Sequence, residues 1–486
     1  MRLLVFLFLL SGLFRQLPAQ NSLQAALNAL KSDPDMGPAS WSFTALDMAS
    51  GTLVASHDPD RSLPTASTMK LVSTATALAV LGPEFRFQTR LEVDGEIRNG
   101  VLFGNVFITG DGDPSLGSSR LGSGKADELL LAWTDALKAK GIQAVKGAVI
   151  ADASIFTSQM TPDGWNWEDM GNYYGAGASG LNFLENTYEI HLMAGAKAGD
   201  PVQVLRTEPY IPGLQVISEL VTGAPGSGDN AYIFGAPYTG LRYVRGTIPP
   251  GNSLFTIKGS IPDPALFLAQ RLDEELKKCG VRVEGVPGTV RELAARGAFF
   301  PAATRTIHTW TSPPLKELVT FTNQKSLNLY AEAFVKRIAV ARKESGSTEA
   351  GIAVVASFWQ QKGLSSKGIT LKDGSGLSPG NGLTTRWMAS MLRTSAGEPW
   401  YPAFYASLPV AGRSGTLENM LRGTAAEGNL RAKSGFIEGV RAYAGYVTTR
   451  SGKQLAFSFI AHRYDCSPGA MRQKMEKVMA AMAAMP

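Results

Sequence analysis

The stretch TASTMKLVSTATALAVLGP, residues 65–83, decides the fold of this chain. Its apolar residues lie on nearly every side of a helix, and Gly82-Pro83 is typical of a helix end. A helix that is apolar all round is buried inside a protein. The stretch therefore predicts a buried helix from Thr65 to Leu81, with Ser67 and Lys70 as polar residues in its first turns.

Ser67 and Lys70 are three residues apart, so they lie on the same face of the predicted helix. No other serine in the chain has a lysine three residues later. Burial lowers the pKa of an amine, and a neutral amine accepts the proton of a nearby hydroxyl. The pair therefore has the chemistry of a nucleophile and its base. The alternative interpretation is a helix cap with a surface lysine.

The composition predicts a globular protein of two or three domains. The chain has 486 residues, of which 44% are hydrophobic and 18% charged. Its 52 glycines and 27 prolines favour many turns and a substantial β component. The net charge of +6 is scattered rather than clustered, so we expect no nucleic-acid partner. Two cysteines, Cys279 and Cys466, are too few for a disulfide framework.

Residues 1–19 have the layout of a signal peptide. Arg2 precedes the apolar run from Leu3 to Leu10, and small and polar residues lead to the expected cleavage site after Ala19. The run is too short to cross a bilayer, which needs about 20 residues. The alternative is a buried N-terminal strand. We expect a periplasmic or otherwise exported protein with at most peripheral membrane contact.

Residues 85–300 differ in texture from the rest of the chain. Short β-like runs alternate there with the pairs Asp94-Gly95, Asn99-Gly100 and Gly104-Asn105, each typical of a hairpin turn. A helix is predicted near Ala126 to Ala139. We interpret this block as an inserted, mostly β region of two subdomains.

The flanking segments, 20–84 and 301–486, are expected to form one domain together. Leu315 to Arg342 predicts helix with an interruption at Asn323 to Asn328. Residues 429–462 predict a β-meander, and residues 468–485 predict a closing helix.

Two further motifs follow the pair in the order expected of penicillin-recognising serine enzymes. Ser326-Leu327-Asn328 lies at the start of a predicted helix, and Lys433-Ser434-Gly435 lies in a predicted strand just before Phe436. A competing motif, Gly376 to Gly380, matches a nucleophile elbow. Its glycine-rich flanks predict a loop, whereas an elbow requires a strand and a helix.

With these motifs the chain resembles the class C low-molecular-mass penicillin-binding proteins, the D-alanyl-D-alanine carboxypeptidase/endopeptidases of the bacterial cell envelope. The large insertion of that family falls where this chain has residues 85–300. The matching stretches are LPTASTMK (63–70), LGPEFRF (81–87), GDGDP (110–114), GWNW (164–167), DGSGLS (373–378), LPVAG (408–412) and RAKSG (431–435).

The resemblance implies an α+β fold: a β-lactamase/transpeptidase-like domain with a five-stranded antiparallel sheet flanked by helices. It implies an acyl-enzyme mechanism, an oxyanion hole of backbone N–H groups, and a site for the substrate carboxylate. Family members commonly have Thr at the position of Ser434 in this chain. The implied roles are Ser67 as nucleophile, Lys70 as base, Ser326 and Asn328 as proton relays that hold the peptide, Lys433 and Ser434 at the carboxylate, Gly435 beside them, and the N–H groups of Ser67 and Phe436 as the oxyanion hole.

The resemblance also implies the partners. Substrates would be peptidoglycan stem peptides ending in D-Ala-D-Ala, or D-Ala cross-links, with β-lactams as inhibitors and neither a metal nor an organic cofactor. A β-lactamase or esterase on the same fold, and a non-catalytic wall-binding homologue, are the alternatives. None of the three motifs with implied catalytic roles lies in 85–300, so we expect changes there, such as Trp165→Ala, to affect wall cleavage more than β-lactam acylation.

Overall fold

The computed structural model describes residues 20–121, 125–251, 253–298 and 304–486. The predicted signal peptide, residues 1–19, and the predicted domain boundary at Phe300 lie outside these ranges. Within them, no helix combines the length and the hydrophobicity that a membrane span needs.

The helix predicted from residues 65–81 is present among the α-helices of the described residues. The predicted helix from Thr65 to Leu81 is a 3₁₀ turn, Ala66–Thr68, that continues into α2. The helices are α1 Gln20–Lys31, α2 Met69–Leu81, α3 Ala126–Ala139, α4 Trp167–Met170, α5 Pro264–Lys278, α6 Val290–Ala295, α7 Leu315–Lys325, α8 Asn328–Ala341, α9 Thr348–Gln361, α10 Thr385–Ser395, α11 Tyr401–Ser407 and α12 Pro468–Ala483.

The strands concentrate in the middle and at the end of the chain. They are β1 Ser40–Asp47, β2 Leu53–His57, β3 Ser62–Leu63, β4 Gln88–Val93, β5 Glu96–Arg98, β6 Val101–Phe103, β7 Val106–Thr109, β8 Ala144–Val145, β9 Val149–Asp152, β10 Thr187–Met193, β11 Gln203–Glu208, β12 Gln215–Thr222, β13 Asn230–Phe234, β14 Leu241–Ile248, β15 Phe255–Ser260, β16 Arg282–Val283, β17 Gly288–Thr289, β18 Arg305–Thr311, β19 Leu383–Thr384, β20 Arg431–Ile437, β21 Val440–Thr448 and β22 Gln454–His462.

A five-stranded sheet from both ends of the chain forms the centre of the molecule. Its order is β2-β1-β22-β21-β20, and every neighbouring pair is antiparallel. The predicted meander supplies three strands, and the N-terminal hairpin supplies the other two. This sheet confirms the expected fold class.

Helices cover both faces of this sheet. On one face, α1 and α12 pack over Trp41 and Phe457 through residues such as Leu27 and Met475. On the other face lies the cluster that contains α2, α7, α8, α9 and α10. Residues 69–78 of α2 are all buried, so the prediction of a central buried helix is confirmed.

Buried polar groups in α2 are hydrogen-bonded, as burial requires. Thr74 and Thr76 donate their hydroxyl protons to the carbonyls of Lys70 and Val72, one turn earlier, at 2.6 and 2.7 Å. Ser73 donates to the carbonyl of Gly374 at 2.5 Å. The helix therefore lies in the core without unsatisfied hydroxyls at these three positions.

Among its described residues, the inserted region contributes to four sheets. The strands β10 to β15 form two three-stranded sheets of their own, whereas β4 to β9 pair with β16, β17 and β18. One hydrophobic cluster, from Leu91 to Val283 along the chain, includes residues of both groups. The division into two subdomains stays a prediction. Because β18 pairs with β4, the sheet of the inserted region extends past the predicted end at residue 300.

The three predicted hairpin turns are in fact one hairpin. Only Asn99-Gly100 makes a turn, between β5 and β6. Asp94-Gly95 and Gly104-Asn105 lie opposite each other halfway along the same hairpin, where β4-β7 pairing gives way to β5-β6 pairing. There the Asp94 carboxylate accepts hydrogen bonds from the backbone and the side chain of Asn105 and replaces ladder bonds. The hairpin prediction is wrong for these two pairs.

The closing helix should contribute measurably to the stability of the sheet. Met475 is fully buried against it, so Met475→Ala is expected to lower the free energy of unfolding by about 2–5 kcal/mol. Denaturant unfolding of the variant measures this cost. Gln473→Ala, on the exposed side of the same helix, should have little effect; an equal loss in both variants would contradict the packing described for α12.

Candidate active site

Ser67 and Lys70 meet at the start of the buried helix. The 3₁₀ turn places Ser67 one turn before Lys70, and the Lys70 Nζ lies 3.0 Å from the Ser67 Oγ. Lys70 is fully buried, whereas Ser67 is partly exposed. The hydroxyl is therefore reachable from outside, and the amine beside it is shielded from water.

Two acceptors hold the Lys70 amine in addition to Ser67. The Oδ1 of Asn328 accepts a hydrogen bond from Nζ at 2.5 Å, and the backbone carbonyl of Ser375 accepts one at 2.7 Å. Burial lowers the pKa of Lys70 to about 7, although the charges of Asp373 and Glu332 favour the ammonium form. Burial thus brings the neutral form of the amine within reach near neutral pH.

Two glycines pack around Ala66, the residue before Ser67. Ala66 has a φ of 42°, a left-handed conformation that is strained for a residue with a side chain. A Cβ on Gly435 would lie 3.0 Å from the Ser67 backbone nitrogen, and a Cβ on Gly376 would lie 1.8 Å from the Ala66 carbonyl oxygen. Position 376 therefore requires glycine, and a side chain at position 435 would force the nucleophile turn to shift by a few tenths of an ångström.

Ser326 and Asn328 lie at the break between α7 and α8. Ser326 ends α7 with a left-handed φ of 59°, and Asn328 is the first residue of α8. The Nδ2 of Asn328 donates to the carbonyl of Tyr174 in the inserted region at 2.7 Å. Within the described residues, the Ser326 hydroxyl has no hydrogen-bond partner, so Asn328, but not the Ser326 hydroxyl, is hydrogen-bonded to Lys70.

The strand β20 brings Lys433 to Phe436 alongside the nucleophile turn. Lys433 is fully buried, and its Nζ donates to the carbonyl of Ser434 at 2.7 Å. Burial, reinforced by the charge of Lys70, lowers the pKa of Lys433 well below its ordinary value. No carboxylate among the described residues forms an ion pair with Lys433. Phe436 is half-exposed, with the Arg441 guanidinium over its ring.

The Ser434 hydroxyl points to a residue that sequence reasoning missed. It donates to the Oγ1 of Thr416 at 2.7 Å. Thr416 lies in the short 3₁₀ turn Gly415–Leu417, directly after the Arg-Ser-Gly triplet that resembles Lys433-Ser434-Gly435. Nothing in the sequence around Thr416 indicates this contact.

Behind the Lys70 amine lies a buried acidic pair, Glu332 and Asp373, which the sequence analysis also missed. Glu332 accepts hydrogen bonds from the backbone N–H groups of Gly374 and Ser375. Burial raises the pKa of Glu332, and the charge of Asp373 raises it further. A pattern could have revealed Glu332, because Asn328, Glu332 and Lys336 follow one another every four residues on a helix that is otherwise mostly apolar.

The segment 373–378 is a loop, as its glycine-rich flanks predicted, and it is tied together by the Asp373 side chain. Backbone N–H groups of Gly376 and Ser378 donate to that carboxylate at 2.7 and 2.6 Å. Asn381 and Trp165 donate to it from their side chains at 2.8 and 2.9 Å.

Comparison with known proteins identifies the family of this chain. A model of the D-Ala-D-Ala carboxypeptidase 3 (S13) family matches residues 23–485. The chain belongs to that family. It is therefore a serine peptidase, and thus a hydrolase.

Individual relatives agree with the family. A D-alanyl-D-alanine carboxypeptidase of Actinomadura sp. (strain R39) is 32% identical over 451 residues, which cover 90% of this chain and 80% of the relative. The crystal structure of penicillin binding protein 4 from Haemophilus influenzae has a TM-score of 0.81 at 23% identity, covering 94% of this chain and 98% of that one. A second structure of that protein, complexed with a novel β-lactam, has a TM-score of 0.77 at 21% identity and the same coverage. These two solved structures show that the fold is shared.

The close fit at Gly435 predicts a specific loss. Gly435→Ala should lower the rate of covalent labelling by fluorescent penicillin by at least about tenfold, because its methyl group would displace the Ser67 backbone at the site of reaction. The rate is measured by stopping the labelling reaction at successive times and quantifying the fluorescent protein band on a gel.

Gly439, at the turn after β20, provides a matched control. It has a φ of 68° and open space around its Cβ position, so Gly439→Ala should cost some stability but leave the labelling rate unchanged. Equal labelling rates for the two alanine variants would contradict the role of Gly435.

Proposed function

We propose that this chain cleaves the peptide bond after a D-alanine in peptidoglycan peptides, either at a D-Ala-D-Ala terminus or at a D-Ala cross-link. The observation that carries the proposal is the 3.0 Å contact between the Lys70 amine and the Ser67 hydroxyl, with the amine buried and the hydroxyl accessible. Membership of the D-Ala-D-Ala carboxypeptidase family supports the choice of substrate.

In the proposed first step, neutral Lys70 takes the proton of the Ser67 hydroxyl as its oxygen attacks the D-alanine carbonyl carbon. The hydrogen-bond partners of Lys70 support this assignment. The Asn328 Oδ1 and the Ser375 carbonyl are acceptors only, so they take both N–H groups of a neutral amine and leave its lone pair toward Ser67.

The proposed reaction consists of an acylation and a hydrolysis, and neither step needs a cofactor. The Oγ of Ser67 forms an ester with the carbonyl carbon, the C–N bond breaks, and the leaving amine takes the proton. Water then cleaves the ester and restores the serine. For the oxyanion we propose the N–H groups of Ser67 and Phe436, supported by the close approach of Gly435 to the Ser67 nitrogen.

Asn328 is proposed to hold the Lys70 amine and the substrate peptide, and Ser326 to relay a proton to the leaving group. The contact of Asn328 with Lys70 supports its part in the proposal. The free hydroxyl of Ser326 is compatible with a partner that arrives with the substrate.

Lys433 and Ser434 are proposed to bind the terminal carboxylate, next to Gly435 and Phe436. Burial disfavours the charged, ammonium form of Lys433. The negative charge of a bound carboxylate would stabilise that form. The Ser434 hydroxyl would then turn from Thr416 to the carboxylate.

The N-terminal stretch supports export, and we propose that the mature enzyme acts outside the cytoplasm, where its wall substrate lies. β-Lactams are proposed to acylate Ser67 because their strained amide has the same placement of carbonyl and carboxylate as a D-Ala-D-Ala end. The β-lactam complex of the Haemophilus influenzae relative supports this step.

Labelling by fluorescent penicillin tests the nucleophile and its base together. Ser67→Ala should abolish the label, together with release of D-alanine from a D-Ala-D-Ala peptide. In the wild type the labelling rate should fall as the pH drops below about 7, since Lys70 must be neutral to act. Persistent labelling of Ser67→Ala would refute the proposed mechanism, and a rate that is flat through pH 7 would remove Lys70 as the base.

Ser434 tests the carboxylate site. Ser434→Ala should lower kcat/KM on a D-Ala-D-Ala peptide by about 10–150-fold, the loss of one hydrogen bond to a charged group, whereas Ser434→Thr should be nearly neutral. Thr416→Val is the matched control, because it removes the resting partner of the same hydroxyl. An equal loss in Thr416→Val would mean that Ser434 acts through Thr416 rather than on the carboxylate.

A further inference from the structure

Both acceptors that hold the Lys70 amine are themselves held by the inserted region. The carbonyl of Tyr174 accepts a hydrogen bond from the Nδ2 of Asn328. Because one end of the amide is fixed in this way, the other end, Oδ1, faces Lys70. The orientation of Asn328 therefore depends on the backbone of residues 173–175.

The second acceptor, the Ser375 carbonyl, depends on a side chain of the inserted region. Its loop is organised around the Asp373 carboxylate, which accepts three hydrogen bonds from within the loop and its return, residues 376–381. The fourth comes from the Nε1 of Trp165 at 2.9 Å. A carboxylate has about four acceptor positions, so Trp165 completes the set.

The contact between Trp165 and Asp373 is shielded from water. Trp165 is 6% exposed and Asp373 is fully buried, so water is a poor substitute for the indole N–H. The same stretch of the insertion makes further contacts with this centre: the Gly164 carbonyl accepts from the Ser378 hydroxyl, and the carbonyls of Gln159 and Ala178 accept from Lys336.

We propose that Trp165 is a positioning residue for Lys70: its indole N–H fixes the Asp373 carboxylate, and through the 373–378 loop it fixes the Ser375 carbonyl that binds the catalytic amine. The inserted region is then a structural part of the catalytic centre. The inference rests on the proposed role of Lys70 as the base. It reverses the expectation from the sequence that Trp165 affects wall cleavage more than acylation.

Loosening this contact has a definite effect on the protonation of Lys70. The charged groups around the amine are Asp373 on the loop, Glu332 on α8, Lys433 on β20 and, beyond Glu332, Lys336. Both carboxylates favour the ammonium form, as does the Ser375 carbonyl. If the loop shifts while the amine stays shielded from water, as it does when an aromatic ring is kept at position 165, the pKa of Lys70 falls, and the amine becomes neutral at lower pH but less well aligned.

The test is the pH dependence of acylation by fluorescent penicillin in the full chain. Trp165→Phe keeps most of the ring and removes the N–H. We expect the limiting acylation rate to fall about tenfold, the size expected for one hydrogen bond to a charged group, and the acidic limb to move below that of the wild type. Asp373→Asn, which also removes the charge, should move the limb in the same direction and farther.

Trp167→Phe is the matched control. Trp167 lies two residues away in the same segment, is half-exposed, and packs on Phe234 rather than on Asp373. Its variant should keep the wild-type rate and the wild-type limb. Thermal unfolding of all variants verifies that each is folded. If Trp165→Phe is unfolded, the rate and the acidic limb of Asp373→Asn are used as the test.

Each outcome decides one question. A wild type that penicillin does not label would refute the proposed function itself. A labelled wild type with an unchanged rate and limb in folded Trp165→Phe would overturn the positioning role. A lower rate with an unmoved acidic limb would also overturn it, because Trp165 would then support only the fold.

Discussion

A lysine amine kept out of water is the constraint on which this site depends. Burial disfavours the charge of Lys70, and the groups around it either impose that cost or offset it. The buried helix α2 supplies the dry environment, Asn328 and Ser375 supply acceptors, and Asp373 supplies a counter-charge. Since these effects oppose one another, the amine is balanced between its two protonation states, which is what a general base at neutral pH requires.

The same constraint explains why glycines gather here. The carbonyl of Ser375 reaches Lys70 because Gly376 lets the loop pass within contact of Ala66, and the lack of a side chain at Gly435 lets β20 lie close to Ser67. A strained turn at Ala66 then presents the nucleophile between two backbone segments. Exclusion of side chains, rather than addition of polar ones, brings the reacting groups together.

Much of this could be predicted from the sequence because it is encoded in residue types. The spacing of Ser67 and Lys70 and the apolar surroundings of α2 were enough to predict a buried helix with a shielded amine beside a hydroxyl, and alternation predicted the strands of the meander. Backbone partners were not predictable. The carbonyls of Ser375 and Tyr174 carry no mark of their role, since every residue has a carbonyl. The prediction of a hairpin turn at Asp94-Gly95 was wrong for a related reason. These are typical turn residues, yet the Asp94 side chain accepts a hydrogen bond from the opposite strand instead of closing a turn.

The central sheet pairs the two ends of the chain, and this has a consequence for how the protein acquires its structure. Strand β1 begins at Ser40 and lies beside β22, which ends at His462. Contacts of such separation in sequence form slowly, because a long loop must close first. While the chain emerges N-terminus first into the compartment where it folds, β1 and α2 therefore lack their partners β20 to β22, whereas the insertion already has most of its own strands. Ser67 is synthesised early, but the groups around it come together only after the last strand has paired. A chain that lacks these strands therefore contains the nucleophile without its catalytic surroundings.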